Sequence, residues 1–186
     1  MGIDCHIDES GWLKGARKLR SPNSDARPED TVPDLLVIHN ISLPPEQFGG
    51  PFIEQLFTNC LDADQHPYFA EIADLKVSSH ILIDREGKLL QFVSLNDRAW
   101  HAGESSWQER ETCNDFSIGI ELEGSDNQPF TDTQYNVLVK VTEAIQGRYS
   151  GISEQRIVGH SDIAPERKTD PGPHFEWREY LAALNK

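Results

Sequence analysis

Residues 116–123 read FSIGIELE and alternate strictly: Phe116, Ile118, Ile120 and Leu122 fall on one side, Ser117, Gly119, Glu121 and Glu123 on the other. Side chains of an extended strand switch faces at every residue, so this pattern gathers its apolar row only as a strand. The chain must therefore supply a hydrophobic layer for one face, and Glu121 is aimed away from that layer. Residues 35–39 (LLVIH) form a second kind of strand, a continuous apolar run rich in branched side chains, as expected when both faces of a sheet are covered. Polar residues begin where that run ends, at His39 and Asn40.

Helical periodicity appears elsewhere. Phe52, Leu56, Phe57 and Cys60 fall on one helical face after the Gly49-Gly50 turn. Thr131 followed by Gln134 is a capping box, and Tyr135, Leu138, Val139, Thr142, Ile145 and Tyr149 then form a stripe ending near Gly151. A last helix is expected over residues 175–184. Residues 77–84 and 89–94 flank the turn Arg85-Glu86-Gly87 and predict a hairpin. Residues 20–34, rich in Pro, Asp and Ser, read as irregular surface chain rather than a domain linker. Strands alternating with helices predict an α/β (α+β) fold with a central mixed sheet flanked by helices. At 186 residues the chain fits one domain spanning positions 1–186.

Composition removes several classes of function. A formal net charge of -14 disfavours nucleic acid as a partner and adhesion to anionic wall polymers or membranes. No apolar stretch approaches the roughly 18 residues a membrane helix needs, and the opening MGIDCHIDESGWLKG lacks the order of a signal peptide, so a cytoplasmic location is expected. Cys5, Cys60 and Cys113 are odd in number and lack a CxxC pair, which favours reduced thiols over a disulfide framework or thiolate zinc site. The Asn40-Ile41-Ser42 triplet matches a glycosylation acceptor only in an exported protein and is read as chance. No coiled-coil seam is visible, and a monomer is expected.

Seven histidines in so acidic a chain raise the question of a metal. A lone histidine is more often structural than a ligand, but two stand out: His39 closes the buried run, and His160 follows Gly159 after the short apolar pair Ile157-Val158. Strand ends are where α/β folds place sites. Asp170 follows in SDIAPERKTDPGP, whose prolines and glycine favour a tight extended path. Two histidines and an aspartate suit one zinc ion, leaving its fourth position open for a water whose pKa falls to about 7. Amide hydrolysis further needs a proton shuttle and a charge for the oxyanion, roles open to Glu121 and Lys168. The alternatives are a solvated edge carboxylate for Glu121, as for Glu123, and ordinary surface charge for Lys168. His80, within VSSHILI, is either a partner orienting a ligand or a core histidine. These residues at irregular separations make no short motif.

The segments LLVIHNISLPPEQFGGPF, HPYFAEIADLKVSSHILI, RAWHAG, CNDFSIGIELEG and GHSDIAPERKTDPGP together resemble the AmpD-type anhydromuramyl-peptide amidases. These belong to the type-two N-acetylmuramoyl-L-alanine amidase superfamily, which also contains the peptidoglycan recognition proteins. The resemblance runs from about residue 11 to 180, the expected core. It implies zinc ligation by His39, His160 and Asp170, acid/base work by Glu121, and transition-state stabilisation by Lys168. It also implies a small soluble anhydromuropeptide substrate, cut between the lactyl group and L-alanine during cell-wall recycling. Asn40, Tyr68, Trp100 and His101 lie in segments able to contact sugar or peptide. Lys76 in LKVSSH and Thr112 in RETCND depart from the family pattern, which carries arginine at both places. Lysine keeps the charge without the bidentate fork and threonine loses it, so the departures bear on recognition of the peptide carboxylates rather than on catalysis. Competing readings are a muropeptide-binding module without catalysis, an envelope amidase acting on intact peptidoglycan, and an acidic interaction protein with structural histidines.

Overall fold

The two apolar runs become neighbours at the centre of one sheet. In the computed structural model, which describes residues 5–185, residues 35–39 begin strand β3 (Leu35–Ile41) and FSIGIELE supplies β9 (Ser117–Glu123). They pair in parallel with His39 opposite Glu121. The short strands β1 (Arg17–Lys18), β4 (Ile81–Ile83), β5 (Leu89–Gln91) and β10 (Ile157–Gly159) complete a six-stranded mixed sheet of order β1-β5-β4-β9-β3-β10. Strands β10, β3, β9 and β4 run parallel, β5 turns back antiparallel in the expected hairpin, and β1 lies parallel to β5. Two small ribbons sit outside it: β2 (Ser24–Asp25) with β6 (Arg98–Ala99), and β7 (Ser106–Trp107) with β8 (Arg110–Glu111).

Alternation along the central strands divides the molecule. Leu36 and Ile38 of β3 join Ile118, Ile120 and Leu122 of β9 in a core closed by Val137, Leu138, Val141 and Ile145 of a long helix, with Phe175 and Tyr180 beyond. That helix, α3 (Asp132–Arg148), starts at the expected capping box: Thr131 Oγ1 accepts from the Gln134 amide at 3.1 Å, and Gln134 Oε1 accepts from the Thr131 amide at 3.0 Å. Gln134 also donates to the Glu123 carbonyl at 2.9 Å, tying the helix start to the end of β9. The buried stripe includes Val137 and Val141, while Tyr135 and Val139 sit at its margin, a small rotation from the expected face. The final helix, α5 (Trp177–Ala183), docks against α3 through a 2.7 Å bond between the Tyr180 and Thr142 hydroxyls.

The opposite face of the sheet carries α1 (Phe52–Phe57), α2 (Pro67–Ile72) and the one-turn α4 (His160–Ile163). Helix α1 ends before Cys60 because Asn59 takes φ 59°, outside the right-handed helical region. Leu56, Phe57 and Phe69 pack there against Leu82, Leu90 and Phe92. The polar row of β9 therefore faces protein rather than water. Glu123, expected to be solvated, is only 4 % exposed and accepts from the amides of Gly49 at 2.6 Å and Arg85 at 3.2 Å. Residues 20–34 are likewise more ordered than expected, since β2 lies within them and Arg27 reaches inward. Its guanidinium donates to the carbonyls of Asn114, Asp115, Leu95 and Ser117 at 2.9 to 3.3 Å. Burial lowers its pKa to about 10. Cys60 is exposed, Cys113 buried, and both are free thiols. Among the described residues no helix is long and apolar enough to cross a membrane.

Candidate metal centre and catalytic cleft

Strand period decides which face His39 occupies. Leu36 and Ile38 point into the α3 core, so Leu35, Val37 and His39 point the other way, together with Ser117, Gly119 and Glu121 of β9. His160 arrives from the next strand, as the first residue of α4 directly after β10. Asp170 is brought back by the loop after α4, whose path is fixed where the Asp170 carbonyl accepts from the Ser161 amide at 3.0 Å. Gly159 makes this approach possible, because a Cβ there would stand 2.8 Å from Pro171 Cδ. Asn40 braces the same loop, donating to Asp126 Oδ1 at 2.7 Å and to the Pro171 carbonyl at 3.1 Å.

Three donor atoms converge. His39 Nδ1 lies 3.0 Å from His160 Nδ1 and 3.0 Å from Asp170 Oδ2, and His160 Nδ1 lies 3.1 Å from the same oxygen. A carbonyl only accepts, so His160 Nε2, 3.1 Å from the Ala102 carbonyl, carries that ring's proton. In the neutral ring Nδ1 is then a bare lone pair facing a carboxylate oxygen. Two acceptors at that separation repel unless a cation or proton lies between them. Burial drives the His39 pKa down to about 4, opposed by the Asp170 carboxylate, so a second proton on that ring is disfavoured near neutrality. Burial also pushes the Asp170 carboxyl upward, but the close approach of the His160 and His39 rings to its Oδ2 outweighs it and holds it below its ordinary range. A neutral-imidazole pair with an ionised carboxylate is the donor chemistry of a divalent transition metal. The candidate ligand atoms of these three residues all lie within 4.8 Å of one another.

The cluster forms the floor of a cleft of about 360 Å³. Glu121 and Lys168 line it, with Tyr68, Trp100, Leu43, Phe57 and Leu75 among its walls. Glu121 is 8 % exposed and its Oε2 has no hydrogen-bond partner among the described residues. Burial raises its pKa well above the usual carboxylate range; Asp170 adds to the rise and Lys168 counters it. Lys168 is half-buried, and its ammonium makes no side-chain hydrogen bond or ion pair among the described residues. Tyr68 and Trp100 are half-buried at the cleft wall, Trp100 Nε1 donating to Asp25 at 3.2 Å. His101 also lines the cleft, largely buried, with its Nδ1 2.9 Å from His39 Nε2. Lys76 is exposed and does not line the cleft, and Thr112 is exposed in a left-handed conformation beside a separate hollow.

Two participants escape sequence reasoning. Arg167 donates to the Ala102 and Glu104 carbonyls, both at 2.7 Å, and so joins the loop of His101 to that of Asp170. Asn114 Oδ1 accepts from the amides of His101 at 3.0 Å and Ala102 at 2.8 Å. Nothing in the spacing of either residue signals these contacts. His80, for which both roles were open, is fully buried under β9 and accepts from the Gly119 amide at 3.0 Å.

A mixed sheet presenting His39 and His160, an aspartate looped back onto them, and a buried carboxyl and a lysine alongside make the arrangement of a hydrolase with a candidate metal site. Residues 29–173 match the N-acetylmuramoyl-L-alanine amidase family. The chain belongs to that family. It is 60% identical over 176 residues to the 1,6-anhydro-N-acetylmuramyl-L-alanine amidase AmpD of Enterobacter cloacae, covering 95% of this chain and 94% of that one. A crystal structure of a selenomethionine AmpD derivative superposes with a TM-score of 0.93 at 56% identity, covering 96% and 98% of the two chains. The amidase AmiD of Escherichia coli, solved with the substrate anhydro-N-acetylmuramic acid-L-Ala-D-γ-Glu-L-Lys, is similar at a TM-score of 0.61 and 30% identity, covering 96% of this chain and 65% of that one.

Proposed function

We propose that this chain is a zinc-dependent amidase that hydrolyses the bond between the lactyl group of anhydro-N-acetylmuramic acid and the L-alanine of a stem peptide. The observation that carries the reading is the convergence of three metal-donor atoms within about 3 Å beside a buried, unpartnered carboxyl oxygen. Near-full-length identity to anhydromuramyl-peptide amidases supports the substrate class. The catalytic unit is one domain with its core over about residues 11–180, consistent with buried Trp12 and Tyr180 near its two ends. The acidic chain, with no membrane-crossing helix among its described residues, suits soluble recycled fragments in the cytoplasm.

His39, His160 and Asp170 would hold the zinc. When bound, the ion supplies Lewis acidity and lowers the pKa of water to about 7. The chain's own residues divide the rest of the work. The Glu121 carboxylate takes a proton from the water that attacks the lactyl carbonyl carbon. Burial favours the protonated form, so the carboxyl holds that proton until it passes to the alanine nitrogen. The C–N bond then breaks to give a lactyl carboxylate and a free peptide amine. The Lys168 ammonium faces the oxyanion that develops on the carbonyl oxygen, in a cleft where exclusion of water strengthens the interaction. Leu43, Phe57 and Tyr68 supply apolar wall to that cleft.

The test is mass spectrometry of anhydromuramyl-tripeptide after incubation with the purified protein, with and without a chelator. Release of free tripeptide that stops with chelator is expected. No release by folded, zinc-loaded protein would overturn the reading.

A further inference from the structure

The second nitrogens of both metal-donor histidines meet the same dipeptide. His39 Nε2 faces the His101 ring, 2.9 Å from its Nδ1, and His160 Nε2–H donates to the Ala102 carbonyl at 3.1 Å. The dipeptide is itself held. Asn114 Oδ1 receives both of its backbone amides, Arg167 donates to its Ala102 carbonyl at 2.7 Å, and His101 Nε2 lies 3.1 Å from Ser117 Oγ. The polar row of β9 is shaped to receive the ring. A Cβ at position 119 would lie 2.6 Å from His101 Cγ and Nδ1, so only glycine leaves room between Ser117 and Glu121.

The hydrogen-bond directions have a chemical consequence. Ala102 permits one setting for a neutral His160 ring, with the proton on Nε2 and the lone pair on Nδ1. His39 has two. Its proton sits on Nδ1 and points at Asp170, or on Nε2 and points at His101. The second setting is self-consistent along the row, because His101 then accepts at Nδ1 and donates from Nε2 to Ser117 Oγ. It also leaves His39 Nδ1 bare toward Asp170 and His160, as ligation requires.

We propose that His101 is a positioning residue, accepting the His39 Nε2 proton so that His39 presents Nδ1 as a metal donor, with Ser117 and Gly119 holding the ring in place. The inference rests on the metal site proposed above and not on the identity of the substrate. Side chains that orient metal-bound histidines commonly account for roughly 10- to 100-fold in metal affinity.

The experiment uses the full chain and zinc alone. Zinc affinity is measured by competition with a chromophoric chelator for wild type, His101→Leu, His101→Asn and Ser117→Ala, alongside nitrogen-15 NMR of the histidine rings in the zinc-loaded wild type. Leucine removes the acceptor, whereas asparagine places an amide oxygen near the position of the ring Nδ1. His101→Leu is expected to bind zinc roughly 10- to 100-fold more weakly, with most of the loss recovered in His101→Asn and a smaller loss in Ser117→Ala. The wild-type spectrum is expected to show His39 and His101 both protonated at Nε2. Equal losses in the leucine and asparagine variants, or wild-type affinity in His101→Leu, would overturn the proposal. If His101→Leu does not fold, the wild-type spectrum and Ser117→Ala decide it, since a His101 ring protonated at Nδ1 contradicts the assigned direction. A protein that binds zinc through this relay but cleaves no muropeptide would sink the amidase reading while leaving the relay intact.

Discussion

His39 and Glu121 sit directly opposite one another on parallel neighbouring strands, their side chains projecting from the same face of the sheet. One carries a nitrogen of the candidate metal cluster and the other a carboxyl oxygen with no partner among the described residues. Because both positions are set by strand register, metal holding and proton transfer can be separated by substitution. Glu121→Gln keeps the side-chain volume and leaves all three candidate ligands in place. It is expected to retain stoichiometric zinc while turnover falls by roughly 10²- to 10⁴-fold. Elemental analysis beside the tripeptide-release assay checks this, and full turnover would remove Glu121 from the mechanism.

Asp170 behaves differently, because its Oδ2 is common to both histidine contacts. Asp170→Ala is expected to lose zinc and activity together. The same assays apply, and a variant that stays active with bound metal would show that the carboxylate is not a ligand.

Lys168 stands apart from the donor cluster but acts electrostatically on Glu121. Replacing it with alanine removes the charge proposed to face the developing oxyanion, for which losses of roughly 10²- to 10³-fold in kcat are typical. Zinc content is expected to stay unchanged and kcat to fall more than KM rises. A change confined to KM would reassign Lys168 to substrate binding.

Stability of the metal-free protein has a pH dependence whose sign follows from His80. Burial, with the nearby Arg27 charge, holds His80 well below its ordinary value. As pH falls below about 6.5 the unfolded chain takes up a proton that the folded chain refuses, costing about 1.4 kcal/mol per pH unit for one such group. The stabilising difference is present above that pH and is lost on acidification toward the folded value. Urea unfolding of chelated protein between pH 7.5 and 5.5 is expected to show this loss, and His80→Gln to show a shallower slope. An identical slope in the variant would assign the loss to other groups.

Thr131 offers a control remote from the cleft. Thr131→Ala deletes the cap of α3 and is expected to cost about 1 kcal/mol, seen as a fall in Tm of roughly 2 to 4 °C. Activity below the transition should be unchanged. A loss of turnover without a loss of stability would mean that the start of α3 communicates with the site.

The central strands were legible because each announces itself by a short-range rule: a continuous apolar run for β3, strict alternation for β9. Those rules place His39 and Glu121 at a strand end and on a polar face, and they expose the capping box of α3. They cannot say what covers the polar face, which is why Glu123 reads as solvated yet lies buried against backbone amides. Helices α2 and α4, of six and four residues, are shorter than the window that periodicity needs. Arg27 looks like surface charge because its four acceptor carbonyls lie 68 to 90 positions away along the chain. His101 is hidden for the same reason, since its role depends on the neighbours that tertiary contacts bring to it.

The cluster joins His39 to residues 121 and 131 positions further on. Its donors therefore come together only after the parallel strands β3 and β10 have paired and the segment carrying Asp170 has docked. An ion captured there binds the finished chain and not its unfolded ensemble, so mass action turns affinity into a latch on the C-terminal part of the molecule. Free metal at a thousand times the dissociation constant adds about 4 kcal/mol against unfolding. In a cell, starvation for the metal would then deplete the folded enzyme as well as its activity, exposing emptied chains to proteolysis.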